Sequence, residues 1–162
     1  MATGRSTQLT RQIGEHLIVA KLGRLGYIAT PFAGNVPDYD LLIADENGHS
    51  IPVQVKAING GSWQFNISKF LVVEIIDDVQ YVRGKQKLGN PNLVCVFVQL
   101  ADDEKDDFFI FQLKDLQEYF SKSYKGGRRS KNPQSLHCAI LPKDLEKFRN
   151  NWSLIEKSLK SA

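Results

Sequence analysis

The chain has few of the residues that build metal or disulfide scaffolds: two cysteines and three histidines among 162 residues. Cys95 and Cys138 sit in apolar, strand-like runs, which suits reduced buried thiols better than a disulfide framework. His16, His49 and His137 are not spaced as a ligand set, and His137-Cys138 lacks the further cysteines that a zinc site needs. No hydrophobic run approaches membrane-spanning length, and the opening Met1-Ala-Thr-Gly-Arg-Ser-Thr has no apolar signal core. A cytoplasmic protein with no membrane contact is therefore expected. Gly60-Gly61 follows a strand pattern without the Lys-Ser/Thr of a phosphate loop, and no Ser-His-Asp arrangement can be argued. Internal repeats and domain linkers are also absent.

What is present has ordinary globular proportions, 42% hydrophobic and 24% charged residues, in a length that suits one well-packed domain. A single domain over residues 1–162 is expected, with a core at about 10–100 and a C-terminal extension at about 101–162. The formal charge of +3 is only mildly basic, but its distribution is uneven. Lys122, Lys125, Arg128, Arg129 and Lys131 crowd one stretch, while Asp102, Asp103, Glu104, Asp106 and Asp107 crowd another.

The order of elements predicts an α/β fold with a mixed sheet. A helix is expected from Thr7 to about Leu25, stopped by Gly26, with Ile13, Leu17 and Ala20 on its apolar face and Ile18, Val19 and Leu22 widening it. Strands follow at Tyr27–Phe32, Asp38–Ala44 and Ile51–Ile58, and Trp63–Ile67 extends the meander. Between Lys69 and Lys87 strand propensity conflicts with position, and a short crossing helix is expected before the strand Leu93–Leu100. Then come a strand at Asp107–Gln112, a helix at Leu113–Ser121, a basic loop and a short strand at Leu136–Leu141. A last helix is opened by Pro142 and reaches about Lys160.

The second and third strands carry the functional signal. Side chains alternate along a strand, so Gln54 and Lys56 share one face of Val53-Gln54-Val55-Lys56. A two-residue Asn47-Gly48 loop would set Asp40 opposite Val55, placing a charge among valines. A three-residue loop, Glu46-Asn47-Gly48 with Gly48 left-handed, instead pairs Leu41 with Val53 and Ile43 with Ile51. Asp40 then sits across from Gln54. A slip of one residue reverses every side chain, so the apolar pattern selects this register. An acid, an amide and an amine placed on one face by adjacent strands suit a hard divalent cation and a phosphate. Outside such a site, Lys56 is a solvated strand lysine, Asp40 an acid beside a turn and Glu15 a surface helix residue.

Helix, meander with Asp40 on the second strand and Gln54-Val55-Lys56 on the third, then a crossover and a further strand, resembles the PD-(D/E)XK nuclease superfamily over roughly residues 10–100. The pattern looks like small members with a glutamate on the first helix, such as archaeal Holliday-junction resolvases. It is closer still to bacterial and phage nuclease-like proteins written with Gln-Val-Lys. The resemblance implies a restriction-endonuclease-like core (αβββαβ), a central mixed sheet flanked by helices, and Mg²⁺ (or Mn²⁺) as cofactor. It assigns Asp40, Gln54, Lys56 and Glu15 as catalytic residues, with Asp40, Gln54 and Glu15 at the metal. Gln54 stands where most members have glutamate.

The function implied is a metal-dependent endonuclease acting on DNA more often than RNA, as a homodimer where duplex substrates need two sites. The alternative is a catalytically weak or inactive nuclease-fold module that binds nucleic acid or a protein partner. Lys122, Lys125, Arg128, Arg129 and Lys131 are the candidate nucleic-acid contacts, on a loop whose glycines suggest flexibility along a phosphate track. Trp63 and Phe65 are candidates for base stacking or for core packing.

Overall fold

A computed structural model describes residues 4–34 and 36–162. The chain runs α1 (Gly4–Arg24), β1 (Ile28–Pro31), β2 (Leu41–Ala44), β3 (Ser50–Ile58), β4 (Trp63–Asn66), β5 (Leu71–Ile76), β6 (Val79–Lys85), β7 (Val94–Gln99), β8 (Asp107–Gln112), α2 (Leu113–Ser123), β9 (Gly127–Arg128), β10 (His137–Ile140) and α3 (Ser153–Lys160). These elements gather into two compact units, one of Met1–Trp63, Leu93–Phe111 and Leu141–Ala162, the other of Gln64–Asn92 and Gln112–Ile140.

The first unit is built on a mixed sheet of order β1-β2-β3-β7-β8, flanked by helices. β1, β2 and β3 form the antiparallel meander, and β3 pairs with β7 in parallel from Val53–Val94 to Ile58–Gln99. The expected hairpin register holds: Leu41 pairs with Val53 and Ile43 with Ile51. Gly48 takes φ 84°, and the Asp45 N–H donates to the His49 carbonyl at 3.0 Å, closing the three-residue loop.

Two kinds of side chain are sorted across this sheet. Val53, Val55, Val94, Val96, Val98, Phe108 and Ile110 pack with Ile18 and Leu22 of α1 and Ile155 and Leu159 of α3. The opposite face is aromatic: Trp63 packs at a tilt on Phe97 at 5.1 Å and meets Phe109 edge-on at 5.8 Å, and Phe97 meets Phe111 at 4.8 Å. β7 is buried on both faces from Val94 to Val98, which is why that stretch is an unbroken apolar run. The buried stripe of α1 is Gly14, Ile18 and Leu22, whereas Ile13, expected inside, is 46% exposed. The helix is turned so that its glycine, rather than an isoleucine, meets the sheet.

The second unit has a three-stranded sheet, β5-β6-β9, and a two-stranded pairing of β4 with β10. Phe65, Phe70 and Phe120 pack their rings within 5.1–5.7 Å of one another. Gln117 of α2 donates to the carbonyls of Phe70 and Gln86 at 2.8 Å each. Buried Gln80 donates to the carbonyls of Pro133 and Ser135 and accepts from the Tyr124 hydroxyl.

Three expectations are corrected. No crossing helix fills 69–87: beyond a 3₁₀ turn at Ile67–Lys69, the segment is the β5–β6 hairpin. Its turn, Asp77-Asp78, has both residues left-handed, the geometry of a tight hairpin loop, and aspartate tolerates it. β4 does not extend the meander, because β7 occupies the free edge of β3 and β4 pairs with β10. The last helix is two pieces, a 3₁₀ segment Pro142–Phe148 and α3. Between them Asn150 takes φ 52°, its N–H donates to the Phe108 carbonyl, and Arg149 pairs with Asp107 and Glu146. Bonds to β8 thus outweigh helix continuity there.

Cys95 and Cys138 are buried thiols outside any disulfide, as expected. Burial pushes the Cys138 thiol up to about 11, leaving little thiolate at neutral pH. Iodoacetamide at pH 7.5 should therefore label neither cysteine in native protein and both after denaturation, read by intact mass. A Cβ at Gly48 or Gly23 meets no atom within 4 Å, so substitution there tests backbone preference alone. Gly48→Ala should cost about 1–2 kcal/mol at its left-handed φ, and Gly23→Ala inside α1 should add roughly 0.5–1 kcal/mol, both measured by urea unfolding.

Candidate active site

Asp40 lies one residue before β2. Asp38, at φ 68°, interrupts the extended chain, so the strand starts at Leu41 and not at Asp38 as expected. Asp40 is still tied to β3 twice. Its N–H donates to the Val53 carbonyl at 2.9 Å, and its carboxylate Oδ2 accepts the Val55 N–H at 2.8 Å. A backbone N–H lies in the plane of the sheet, so the carboxylate is held at the level of β3, beside the Gln54–Val55 peptide. Its position is thus set by the strand that carries Gln54 and Lys56.

α1 reaches this point because of Gly14. A Cβ built there would sit 2.5 Å from the Ala57 Cβ and 4.0 Å from Val55 Cγ1, so glycine opposite alanine lets the helix lie directly on β3. The residues flanking Gly14 are thereby carried to Asp40. Arg11 Nε donates to Glu15 Oε1 at 2.9 Å, and Arg11 Nη2 donates to Asp40 Oδ1 at 3.0 Å. One guanidinium therefore bridges an acid of the helix and the acid before β2. The Glu15 bond, foremost, and the charge of Asp40 raise the Arg11 guanidinium above its ordinary value. The acids are shielded, at 18% and 14% side-chain exposure, while Arg11 is 58% exposed.

Gln54 and Lys56 alternate with Val53 and Val55, so they lie on the face of β3 away from α1, next to their β7 partners Cys95 and Phe97. Gln54 Oε1 is 4.0 Å from Cys95 Sγ, a weak donor. The Lys56 carbonyl accepts the Trp63 indole N–H at 3.2 Å, fixing the backbone at the lysine to the aromatic layer. Trp63 is 2% exposed and Phe65 packs on Phe70 and Phe120, so both are packing residues.

The structure thus brings Glu15 and Asp40 together and anchors Asp40 to the strand bearing Gln54 and Lys56. Among the described residues no group of three or more His, Cys, Asp or Glu is arranged to hold a metal. The donors brought together are the carboxylates of Glu15 and Asp40; Gln54 does not share one face with them as expected, its oxygen lying beside Cys95 on the other side of β3. That pair of carboxylates does not suit zinc, but it fits Mg²⁺, which takes one or two carboxylates and completes its shell with water and substrate phosphate. Arg11 was missed in the sequence; its only signal was an Arg–Glu spacing of four on a helix, which is common on solvated faces.

The basic loop belongs to the second unit, and it is packed rather than loose. Arg128 Nη2 donates to the Asp77 carbonyl at 3.3 Å, and Arg129 Nη2 donates to the His137 carbonyl at 3.2 Å and lies over the Tyr124 ring. Lys122 pairs with Glu118 at 3.3 Å, and Lys125 and Lys131 are exposed. Gly126 is left-handed, and a Cβ there would sit 2.6 Å from the Gln80 carbonyl. Close approach to β6, not flexibility along a phosphate track, accounts for that glycine.

No protein-family model matches the chain. No curated protein matches it by sequence. Among solved structures it is similar to a bacterial homing endonuclease, I-Ssp6803I, with a TM-score of 0.54 and 16% identity over 96% of this chain and 97% of that one. The likeness is one of architecture: this chain has a nuclease-like fold. No helix of the described residues is long and apolar enough to cross a membrane.

If Gly14 sets the approach of α1, Gly14→Ala should destabilise the protein by about 1–3 kcal/mol through overpacking. Ala57→Gly in the same chain should recover part of that loss in a double-mutant cycle followed by urea unfolding.

Proposed function

We propose that this protein is a metal-dependent DNA endonuclease with a PD-(D/E)XK-type site made by Asp40, Gln54, Lys56 and Glu15. The observation that carries the reading is the double anchorage of Asp40, whose carboxylate is bonded both to β3, which carries Gln54-Val55-Lys56, and through Arg11 to Glu15. The nuclease-like architecture, spanning nearly the whole chain, supports it. Magnesium or manganese is the proposed cofactor, held by Asp40 and Glu15. Such an ion, when bound, offsets charge on the phosphoryl oxygens and makes a bound water more acidic.

The chain's own residues do the rest. The Val55 N–H, donating to Oδ2, orients the Asp40 carboxylate. Gly14 and Ala57 set the distance at which Glu15 approaches. The Lys56 ammonium is a compact charge for the scissile phosphate or for orienting the attacking water. Trp63 holds the Lys56 backbone from the other side. Gln54 carries a neutral oxygen in place of a charge, so cation binding is weaker than with two strand acids. The protein is proposed to act in the cytoplasm, as a homodimer on duplex DNA, with Lys122, Lys125, Arg128, Arg129 and Lys131 as contacts to the phosphate backbone.

Incubation with plasmid and branched DNA in Mg²⁺ or Mn²⁺ is expected to give cleavage that chelator abolishes. Asp40→Ala and Lys56→Ala should each lower the rate by about a hundredfold or more, the scale of losing a positioned charge at the reacting centre. Salt-dependent DNA binding without cutting would instead favour an inactive nuclease-fold module. Absence of any salt-dependent DNA affinity would sink the reading altogether.

A further inference from the structure

We propose that Arg11 is a built-in counter-ion for the Glu15–Asp40 pair, holding the two carboxylates together until a divalent cation displaces it. Two shielded carboxylates converging on one point repel unless a cation lies between them. The guanidinium meets that need, because one fork reaches Glu15 Oε1 with Nε and Asp40 Oδ1 with Nη2. A hard dication answers the same need at the same oxygens. Binding of that ion and of Arg11 there is mutually exclusive.

The burial pattern decides which partner moves. Asp40 is fixed by the Val55 N–H, and Glu15 sits next to Gly14, which is pressed on Ala57. Arg11, at 58% exposure, is the mobile member of the three. Beside it is an open surface depression lined by Gln8, Leu9 and Gln12 together with Arg11 and Glu15. Ion pairs to so exposed a cation are weak, so its release costs little. Arg11 acts here as a positioning residue, keeping the acids converged before the ion arrives and competing with it afterwards.

This inference rests on the metal-dependent reading, and its test needs no DNA and no cleavage. Mn²⁺ is titrated into wild type, Arg11→Ala and Arg11→Lys, followed by calorimetry and by the shift in thermal unfolding. In chelator, Arg11→Ala should melt below wild type, since the acids then lack their counter-ion. It should nonetheless bind Mn²⁺ roughly three- to tenfold more tightly, the range set by losing competition from exposed ion pairs. Arg11→Lys, which keeps the charge without the fork, should fall between, and it carries the comparison if Arg11→Ala is unfolded in chelator. Wild-type binding with an unchanged or weaker affinity in the variants would overturn the role of Arg11 and leave the metal site standing. No Mn²⁺ binding by any of the three would overturn both.

Discussion

The contact between Gly14 and Ala57 is the constraint on which the candidate site depends. An alanine or larger residue at position 14 would hold α1 away from β3, because its Cβ would fall 2.5 Å from that of Ala57. With the helix seated, Ile18 and Leu22 reach the valines of β3 and β7, so the same contact also closes the aliphatic half of the core. Arg11 and Glu15 reach Asp40 as a consequence of that packing. Their ion pairs are too exposed to set the helix position themselves.

The sheet separates tasks between its faces. Aliphatic side chains, joined by Phe108, take the face under α1 and α3, and Trp63, Phe97, Phe109 and Phe111 take the other. Gln54 and Lys56 stand on the ring side, while Glu15 and Arg11 approach on the helix side. Asp40 is placed between them because it accepts an N–H that lies in the sheet plane. A residue within β2 proper would have faced one side or the other. Ending the strand at Leu41, after the left-handed Asp38, frees the preceding acid from that alternation.

Much of this was legible from local pattern. The hairpin register followed from Leu41, Ile43, Ile51 and Val53, since any other pairing would put apolar residues outside and an acid among valines. Gly48 marked the loop because only a residue tolerant of positive φ fits there. The β5–β6 hairpin was missed although Leu71 to Ile76 is rich in β-branched residues. Position before a parallel strand argued for a helix, and the Asp77-Asp78 turn, a weaker signal than Asn-Gly, was passed over. The break in the last helix left no mark in the apolar spacing. It comes from bonds that Arg149 and Asn150 make with Asp107 and Phe108, some forty residues earlier.

By itself the sequence determined the meander, its register, the reduced thiols and the presence of an acid and a Gln-x-Lys on neighbouring segments. Each of these follows from side-chain periodicity or turn chemistry within a few residues. Only tertiary structure decided which stripe of α1 is buried, that Arg11 bridges Glu15 and Asp40, that β4 pairs with β10, and that the glycine at 126 serves close packing. Those outcomes turn on distances between atoms far apart in the chain, where a single Cβ or one in-plane N–H sets the geometry.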